Sequence, residues 1–315
     1  MVSSFEQSPE VAIITRTKNR PLLLKRTIED VLAQTHSNWS HIIVNDGGHP
    51  DKVDDLVAAY SSRYMRRVKI IHNPKSLGME AASNVGIHHS TGVYIAIHDD
   101  DDTWHPEFLE RCISFLTKSH PPLLTGQAYC GVATLSMRVI ESLDGNNVTF
   151  VSQDPFNGWM KNIALSRLLC SNTFPPISFL FKRSLIEDIG GFREDLPVLG
   201  DWDFHLRACL HNEIGLIREY LAFYHHRRSN SPGDYSNTVV DADHMHRYYE
   251  NLYRNQMLRD DIAKGQVGLG VLLMLAFYLE TLTSSVFGLK TLQHKILDSR
   301  LGQALRSRLR KFKSP

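Results

Sequence analysis

The segment from Tyr94 to Trp104 constrains this chain more than any other, because a short apolar run ends there in four consecutive aspartates. Tyr94 to Ile97 form the run, and Asp99 to Asp102 follow it after one histidine. Four carboxylates at a strand end repel one another unless a cation gathers them, and their oxygens are hard ligands suited to Mg²⁺ or Mn²⁺. The alternative is a solvated acidic loop. The pattern of the remaining chain decides between the two.

The first 120 residues alternate between short apolar runs and helical patterns. Strands are predicted at Val11 to Ile14, His41 to Asn45, Val68 to Ile71 and Tyr94 to Ile97, and helices from Pro21, at Val53 to Tyr60, at Gly78 to His89 and at Pro106 to Leu116. This alternation predicts a mostly parallel sheet covered by helices on both faces. Each strand ends in polar residues, so polar groups gather at one edge of the sheet, where open α/β sheets bind ligands. We therefore expect a nucleotide pocket there.

Composition excludes several other classes of protein. A formal net charge of +1 over 315 residues gives no global charge field of the kind that binds nucleic acid, so we expect no nucleic-acid partner. Four widely spaced cysteines without a CxxC pair argue against a zinc site or a disulfide framework and indicate a reducing compartment. The N-terminus lacks the features of a secretory signal. We therefore expect a cytoplasmic location.

The C-terminal segment has a different character. Val267 to Leu289 contains one charged residue, Glu280, and its leucines and one valine recur at spacings of three and four, as in a heptad seam. A packed or dimerising helix, an interfacial membrane helix and a membrane span are the alternatives. Lys290 to Pro315 holds eight Lys and Arg against one Asp, a net charge of +7. This tail is either solvated or in contact with anionic lipid. Homo-oligomerisation through the helix and peripheral attachment to the inner face of the cell membrane both stay open.

Four segments carry a resemblance to a known family. They are VAIITRTKNRP (Val11 to Pro21), VNDGG (Val44 to Gly48), NPKSLGMEAASNVGI (Asn73 to Ile87) and IHDDDDTWHPEFLE (Ile97 to Glu110). In this order and spacing the chain resembles the inverting family 2 glycosyltransferases of the GT-A fold, over roughly Val11 to Ser229. The resemblance implies an α/β, GT-A-type fold with a mostly parallel nucleotide-binding sheet flanked by helices and a helical C-terminal extension. Its parts would be a nucleotide-sugar half (1–125), an acceptor and catalytic-base half (126–230) and the extension (231–315).

The resemblance also implies donor-site residues. Asp101 would be the direct ligand of Mn²⁺ or Mg²⁺, with Asp99 toward the ribose or the waters of the metal. Asp46 would accept the imino N–H of uracil or thymine, since an ionised carboxylate only accepts. Thr15 and Arg16 would bind the nucleotide, Arg16 through the base or a phosphate.

Two residues of the predicted helix at Gly78 to His89 have two interpretations each. Glu80 and Asn84 share one side of the helix at a spacing of four. Each is either a ligand contact or a structural bond from the helix to a loop. Asn84 is included among the nucleotide-binding candidates.

The catalytic base is expected in the segment Leu199 to Asp203. The family usually has an acidic pair before an aromatic residue, but glycine stands at position 200 where the first acid is expected. Asp201 matches the position of the base, which takes a proton from the acceptor hydroxyl. Asp203 is the second candidate, and a plain helix N-cap is the structural alternative for Asp201.

The last candidates follow an apolar run. His225 and His226 are both candidates for a third metal ligand, and neutral imidazole suits Mn²⁺ better than Mg²⁺. Arg227 or Arg228 would offset the charge of a diphosphate.

The resulting hypothesis is a metal-dependent inverting glycosyltransferase. It would move a sugar from a nucleoside-diphosphate sugar to a hydroxyl of a glycan or lipid-linked glycan acceptor, in bacterial surface polysaccharide synthesis. One alternative is a nucleotidyltransferase, although no glycine lies between Thr15 and Arg20 where that class has a Gly-rich loop. Another is a non-catalytic glycan-binding or scaffold subunit.

Overall fold

The computed structural model describes residues 10–118, 120, 126, 128–144, 147–227, 243–279 and 282. Contacts divide the chain into two compact units, Met1–Asn251 and Leu252–Pro315. The strands are β1 Val11–Thr17, β2 Trp39–Asp46, β3 Val68–Asn73, β4 Tyr94–Ile97, β5 Thr103–Trp104, β6 Gly131–Asp144, β7 Asn147–Pro155, β8 Phe179–Lys182 and β9 Ile214–Arg227. The helices are α1 Pro21–Leu32, α2 Pro50–Ala58, α3 Ser61–Tyr64, α4 Met79–His88, α5 Phe108–Thr117, α6 Leu165–Leu168, α7 Arg183–Ile189, α8 Gly200–His211 and α9 Asp243–Lys264.

The first half of the sheet is parallel, as the sequence predicts. Strands β3, β2, β1 and β4 lie side by side in that order, and each neighbouring pair is parallel. The four residues from Val11 to Ile14 are fully buried, because helices cover both faces of the central strand β1. The ends of β1, β2 and β4 therefore meet at one edge, where the aspartate run begins.

The second half of the sheet is mixed rather than parallel. Strand β8 is antiparallel to β4 and to β6, β9 is parallel to β6, and β7 is antiparallel to β6. The short strand β5, which follows the aspartate run directly, is antiparallel to β9 with Thr103 opposite Phe223. This pairing places the aspartates beside the end of β9, where the two histidines lie.

The second unit contains a helical pair. Arg254 on α9 donates to the Leu273 carbonyl at 2.9 Å, and Asp261 accepts from the backbone N–H of Gly268 and Val271 at the start of helical residues 269–279. Leu273 is fully buried. The packed face of this second helix is therefore the face that contains Leu273.

The predicted leucine seam is not that packed face. Its described members, Leu272, Leu275, Leu279 and Leu282, are 37% to 63% exposed. Val286, Leu289, Glu280 and the basic tail lie outside the described residues. Within the described ranges, every helix is too short or too polar to cross a membrane.

Candidate active site

Arg16, at the end of β1, is the centre of a cluster of polar groups. Its guanidinium donates to Asp99 Oδ1 at 2.8 Å and to Ser83 Oγ at 2.8 Å, and it lies 3.4 Å from Glu80 Oε2. Burial disfavours the charge of Arg16, but the carboxylates of Asp99 and Glu80 outweigh burial and raise its pKa. The arginine therefore stays cationic and links the aspartate run to helix α4.

Two further arginines neutralise the middle of the aspartate run. Arg20 Nη2 lies 2.8 Å from Asp100 Oδ1 and its Nη1 lies 3.4 Å from Asp101 Oδ2, while Arg227 pairs with the same oxygen of Asp101. Burial would raise the pKa of Asp101, but Arg20 and Arg227 lower it below its usual value. Burial prevails at Asp100 and raises its pKa. Asp101 is therefore the anionic, ligand-competent carboxylate of this pair.

Asp201, the second residue of α8, is held by two hydrogen bonds. Its Oδ2 accepts from Asn172 Nδ2 at 2.7 Å and its Oδ1 from the Trp202 N–H at 2.8 Å. Burial raises the pKa of Asp201; the Trp202 N–H and Arg16 oppose this shift, and the nearby charge of Asp99 reinforces it. A carboxylate with a raised pKa, close to Asp99 and Arg16, has the character of a general base.

Asp203, the second candidate for the base, has a structural role. Its Oδ2 accepts from Arg207 Nε at 2.7 Å, and the Asp203 side chain is 4% exposed. Arg207 in turn donates to the backbone carbonyls of Ile189 and Gly191. This network attaches α8 to the loop after α7 and leaves Asp201 as the better placed acid.

Strand β9 presents alternate residues to opposite sides. Tyr224 and His226 are on one side and pack edge to face at 4.4 Å between ring centroids. Burial raises the pKa of Tyr224, and the charges of Asp102, Asp201 and Asp101 raise it further. Tyr224 is therefore buried near the carboxylate cluster, whereas the opposite side of β9 contains Arg227, which pairs with Asp101.

The two histidines differ in their hydrogen bonds. His225 bonds Glu141 Oε1 through Nδ1 at 2.7 Å and Thr103 Oγ1 through Nε2 at 2.9 Å. His226 Nε2 is buried and has no hydrogen-bond partner within the part of the chain that the structure describes. Burial lowers the pKa of His226 to about 4, so its imidazole is neutral near pH 7. An unpartnered neutral nitrogen favours His226 over His225 as a metal ligand.

Asp46 connects β2 to the loop before α4. Its two oxygens accept from Asn73 Nδ2 at 2.8 Å, Ser76 Oγ at 2.7 Å, and the backbone N–H of Leu77 and Gly78. Burial would raise the pKa of Asp46, but these hydrogen bonds outweigh it and lower the pKa. Its contact with a nucleotide base would come in addition to this structural role.

Two predicted nucleotide-binding residues serve the scaffold instead. The Thr15 hydroxyl is fully buried and lies 2.9 Å from His41 Nε2, on the opposite side of β1 from Arg16. Asn84 donates to the Phe192 carbonyl at 2.8 Å and accepts from the Phe192 N–H at 2.9 Å. We therefore leave the Thr15 and Asn84 side chains out of the candidate site.

The remaining candidate metal ligands have the chemistry that a divalent cation requires. Asp99 and Asp101 supply hard oxygens and His226 supplies a buried nitrogen lone pair, a set suited to Mn²⁺. Among the described residues, no three His, Cys, Asp or Glu side chains converge on one point as a closed metal site. One or two carboxylates are enough where substrate phosphates and water complete the coordination, as is usual for Mg²⁺.

Sequence reasoning did not assign site roles to Arg20, Asn172 or Tyr224. Arg20 lies in the first matched segment but resembles a surface cation, and Asn172 lies in an irregular region without a pattern. Tyr224 has a usable signal, because it is two residues before His226 on a strand and must share its side.

Comparison with known proteins identifies the family of the chain. The model of glycosyl transferase family 2 matches residues 12–190, more than half of the chain. The chain belongs to glycosyl transferase family 2. It is 32% identical over 228 residues to an uncharacterised glycosyltransferase of Methanocaldococcus jannaschii, covering 71% of this chain and 73% of that relative. It is 26% identical over 245 residues to the PGL/p-HBAD biosynthesis glycosyltransferase of Mycobacterium tuberculosis, covering 76% and 84%. It is 34% identical to EpsE of Bacillus subtilis over 114 residues, only 41% of EpsE.

Solved structures of glycosyltransferases share the fold of this family 2 member. TarS 1-349 of S. aureus in complex with UDP-GlcNAc has a TM-score of 0.52 and 18% identity, over 70% of this chain and 60% of that chain. The mannosyltransferase PcManGT of Pyrobaculum calidifontis, in complex with GDP-Man and Mn²⁺, has a TM-score of 0.55 and 14% identity, over 87% and 70%. These structures confirm the GT-A-type α/β fold, and the family match confirms the glycosyltransferase class.

Proposed function

We propose that this glycosyltransferase is metal-dependent and inverting, and that it moves a sugar from a nucleoside-diphosphate sugar to a hydroxyl of a glycan acceptor. The observation that supports this most is the grouping of Asp201, Asp99 and Arg16, whose charges act on one another. In this group, Asp201 on α8 lies near the end of β4, where the carboxylates that would bind the sugar nucleotide begin.

Asp201 is the proposed base. Its carboxylate would take the proton of the acceptor hydroxyl as the hydroxyl oxygen bonds to the anomeric carbon. The bond from that carbon to the diphosphate oxygen breaks at the same time, and the nucleoside diphosphate leaves with the electron pair. Attack from the side opposite the leaving group inverts the anomeric configuration. The Asn172 and Trp202 N–H bonds orient the carboxylate for this transfer.

The part of the site that would bind the sugar nucleotide contains carboxylates for a metal ion and arginines for the phosphates. Asp99 and Asp101 would hold Mn²⁺ or Mg²⁺ together with the substrate phosphates, with His226 as the candidate for a further ligand; the ion when bound would supply Lewis-acid stabilisation of the leaving phosphate. Arg16, Arg20 and Arg227 lie around these carboxylates and can offset the remaining phosphate charge. Arg227 is the candidate closest to Asp101, whereas Arg228 lies outside the described residues.

For the acceptor, we propose a growing bacterial surface glycan or its lipid-linked precursor. The net +7 of the C-terminal tail and the exposed leucines before it support a cytoplasmic enzyme peripheral to the inner face of the membrane. The alternative is that the same leucines mediate self-association.

Binding and donor cleavage test the proposal together. UDP, dTDP and GDP would be titrated with and without Mn²⁺, and release of nucleoside diphosphate from UDP-GlcNAc and GDP-mannose would be followed. We expect one nucleotide to bind at least tenfold more tightly with Mn²⁺, with release from its sugar donor. Metal-independent binding without cleavage would support a non-catalytic subunit, and release of pyrophosphate from a nucleoside triphosphate would support a nucleotidyltransferase.

A further inference from the structure

Helix α8 begins with a residue that has no side chain, and the space beside it is filled from another helix. A Cβ atom added to Gly200 would lie 2.2 Å from Glu80 Cγ and 2.3 Å from Glu80 Oε1. Real Cβ atoms do not approach other heavy atoms so closely. Glu80 comes from α4, 120 positions earlier in the chain, and its carboxyl group occupies the volume that a side chain at position 200 would need.

Burial and contacts with two neighbouring residues hold the Glu80 side chain in this position. It is 5% exposed, its Oε2 lies 3.4 Å from Arg16 Nη1, and it accepts a hydrogen bond from the Gly200 backbone N–H. The Gly200 N–H is one of the donors at the start of a helix that have no partner within it. The carboxylate therefore connects Arg16 to the first turn of α8, one residue before Asp201.

We propose that Glu80 substitutes in space for an acidic side chain at position 200 and acts as the positioning residue that holds Arg16 and the start of α8 for catalysis. The resemblance places a glutamate at position 200, and Gly200 is its one departure from the acidic pair. Because a side chain at 200 would overlap Glu80 where it now lies, one of the two must shift, and this space holds a carboxyl group from α4 or from α8. The part of this inference that concerns catalysis rests on the proposed function.

The packing claim is tested by unfolding, without any substrate. Gly200→Ala should lower Tm in the wild-type background, because its methyl group meets Glu80. In the Glu80→Ala background the same change should leave Tm unchanged or raise it, since alanine favours a helix over glycine. Equal Tm shifts for Gly200→Ala in the two backgrounds would overturn the inference.

The positioning claim is tested by moving the carboxylate. Glu80→Ala should lower kcat for donor cleavage by about ten- to a hundredfold, the usual range for a lost supporting contact. The double variant Glu80→Ala/Gly200→Glu should recover most of that loss, whereas Gly200→Glu alone should not match the wild type. Glu29→Ala is the matched control, because Glu29 is an exposed carboxylate paired with Lys25 on α1.

The outcomes separate this inference from the proposed function. If the wild type cleaves UDP-GlcNAc or GDP-mannose and Glu80→Ala does so equally well, the positioning role is refuted while the proposed function stands. If the double variant stays as slow as Glu80→Ala, the spatial substitution is refuted. If the wild type cleaves no donor, the proposed function fails, and the unfolding comparison alone decides whether Glu80 replaces a side chain at 200.

Discussion

Replacing Asp201 with asparagine distinguishes a catalytic role of its carboxylate from a structural one. The change removes the proton acceptor and keeps the shape of the side chain. A general base contributes about 10²–10⁴-fold to a rate, and each tenfold corresponds to about 1.4 kcal/mol of barrier. We therefore expect kcat for transfer to fall by about two to four orders of magnitude.

The structural cost of the same change is much smaller. The carboxylate of Asp201 accepts from Asn172 and from the Trp202 N–H. An asparagine has one acceptor oxygen, so one of these two bonds is lost and its buried donor is left unsatisfied, at a cost of about 1–3 kcal/mol. For a folded unit of this size, each kcal/mol lowers Tm by about 2–4 °C. Loss of folded enzyme cannot account for a hundredfold loss of turnover.

Asp203→Asn is the matched control, because it removes a carboxylate two residues away on the same helix. It breaks the bond with Arg207, which is charge-assisted and worth about 1.5–3 kcal/mol. We expect this variant to lose about as much stability as Asp201→Asn and far less turnover.

Steady-state donor cleavage, UDP or GDP titration and thermal unfolding of both variants form the assay. Asp201→Asn should keep nucleotide affinity within about threefold, since its defect is in proton transfer. A collapse of nucleotide affinity would place Asp201 in the donor site. Turnover that falls more in Asp203→Asn than in Asp201→Asn would refute the choice of base.

Three further predictions concern metal, acid stability and the C-terminal segment. Asp101→Asn should weaken Mn²⁺-dependent UDP or GDP binding about tenfold or more in calorimetry, because a hard dication loses an anionic ligand; wild-type turnover undiminished in EDTA would contradict the metal mechanism. The folded-state pKa of Asp46 is lowered, so its carboxylate stabilises the fold above its unfolded pKa of about 3.9 and loses that contribution as pH falls through the lower folded value. Urea unfolding should therefore show a smaller stability loss between pH 5 and pH 2 in Asp46→Asn than in the wild type, and equal losses would argue against the hydrogen-bonded anion. Removing Gln266 to Pro315 should preserve nucleotide binding but abolish vesicle attachment or self-association in sedimentation; attachment that weakens with salt indicates the basic tail, and association that persists indicates the leucines.

The parallel half of the fold is predictable because its signals are local. Strand β4 has the predicted bounds, and α1 begins at the predicted residue, Pro21. Alternation of buried strands with amphipathic helices fixes these elements, and the rule for strand ends in open sheets then brings Arg16 and the aspartate run together. Local patterns do not predict the second half of the sheet. There, β6 and β9 are each 14 residues long and pair with each other although two other strands lie between them in sequence.

Side-chain partners across the fold are the part that the sequence does not reveal. Asn84 is placed in a motif that resembles a nucleotide-binding helix, yet its amide bonds Phe192 more than 100 positions later. Thr15 is adjacent to Arg16, yet the pleat of β1 turns its hydroxyl into the core. The same limit hides Glu80, because only the fold shows that its carboxyl fills the space beside Gly200. Each of these contacts depends on the relative placement of elements, which no local pattern encodes.

The anomeric configuration of the first product distinguishes inversion by an Asp201 base from every retaining mechanism. Donor cleavage in the presence of Mn²⁺ would be followed by time-resolved proton NMR, with water as the acceptor, before the released sugar equilibrates between its anomers. We expect an α-linked donor such as UDP-GlcNAc or GDP-mannose to yield the β-anomer first, and Asp201→Asn to slow this signal by about a hundredfold or more. Initial release of the α-anomer, or wild-type release that is unaffected by the Asp201 change, would contradict inversion by an Asp201 base.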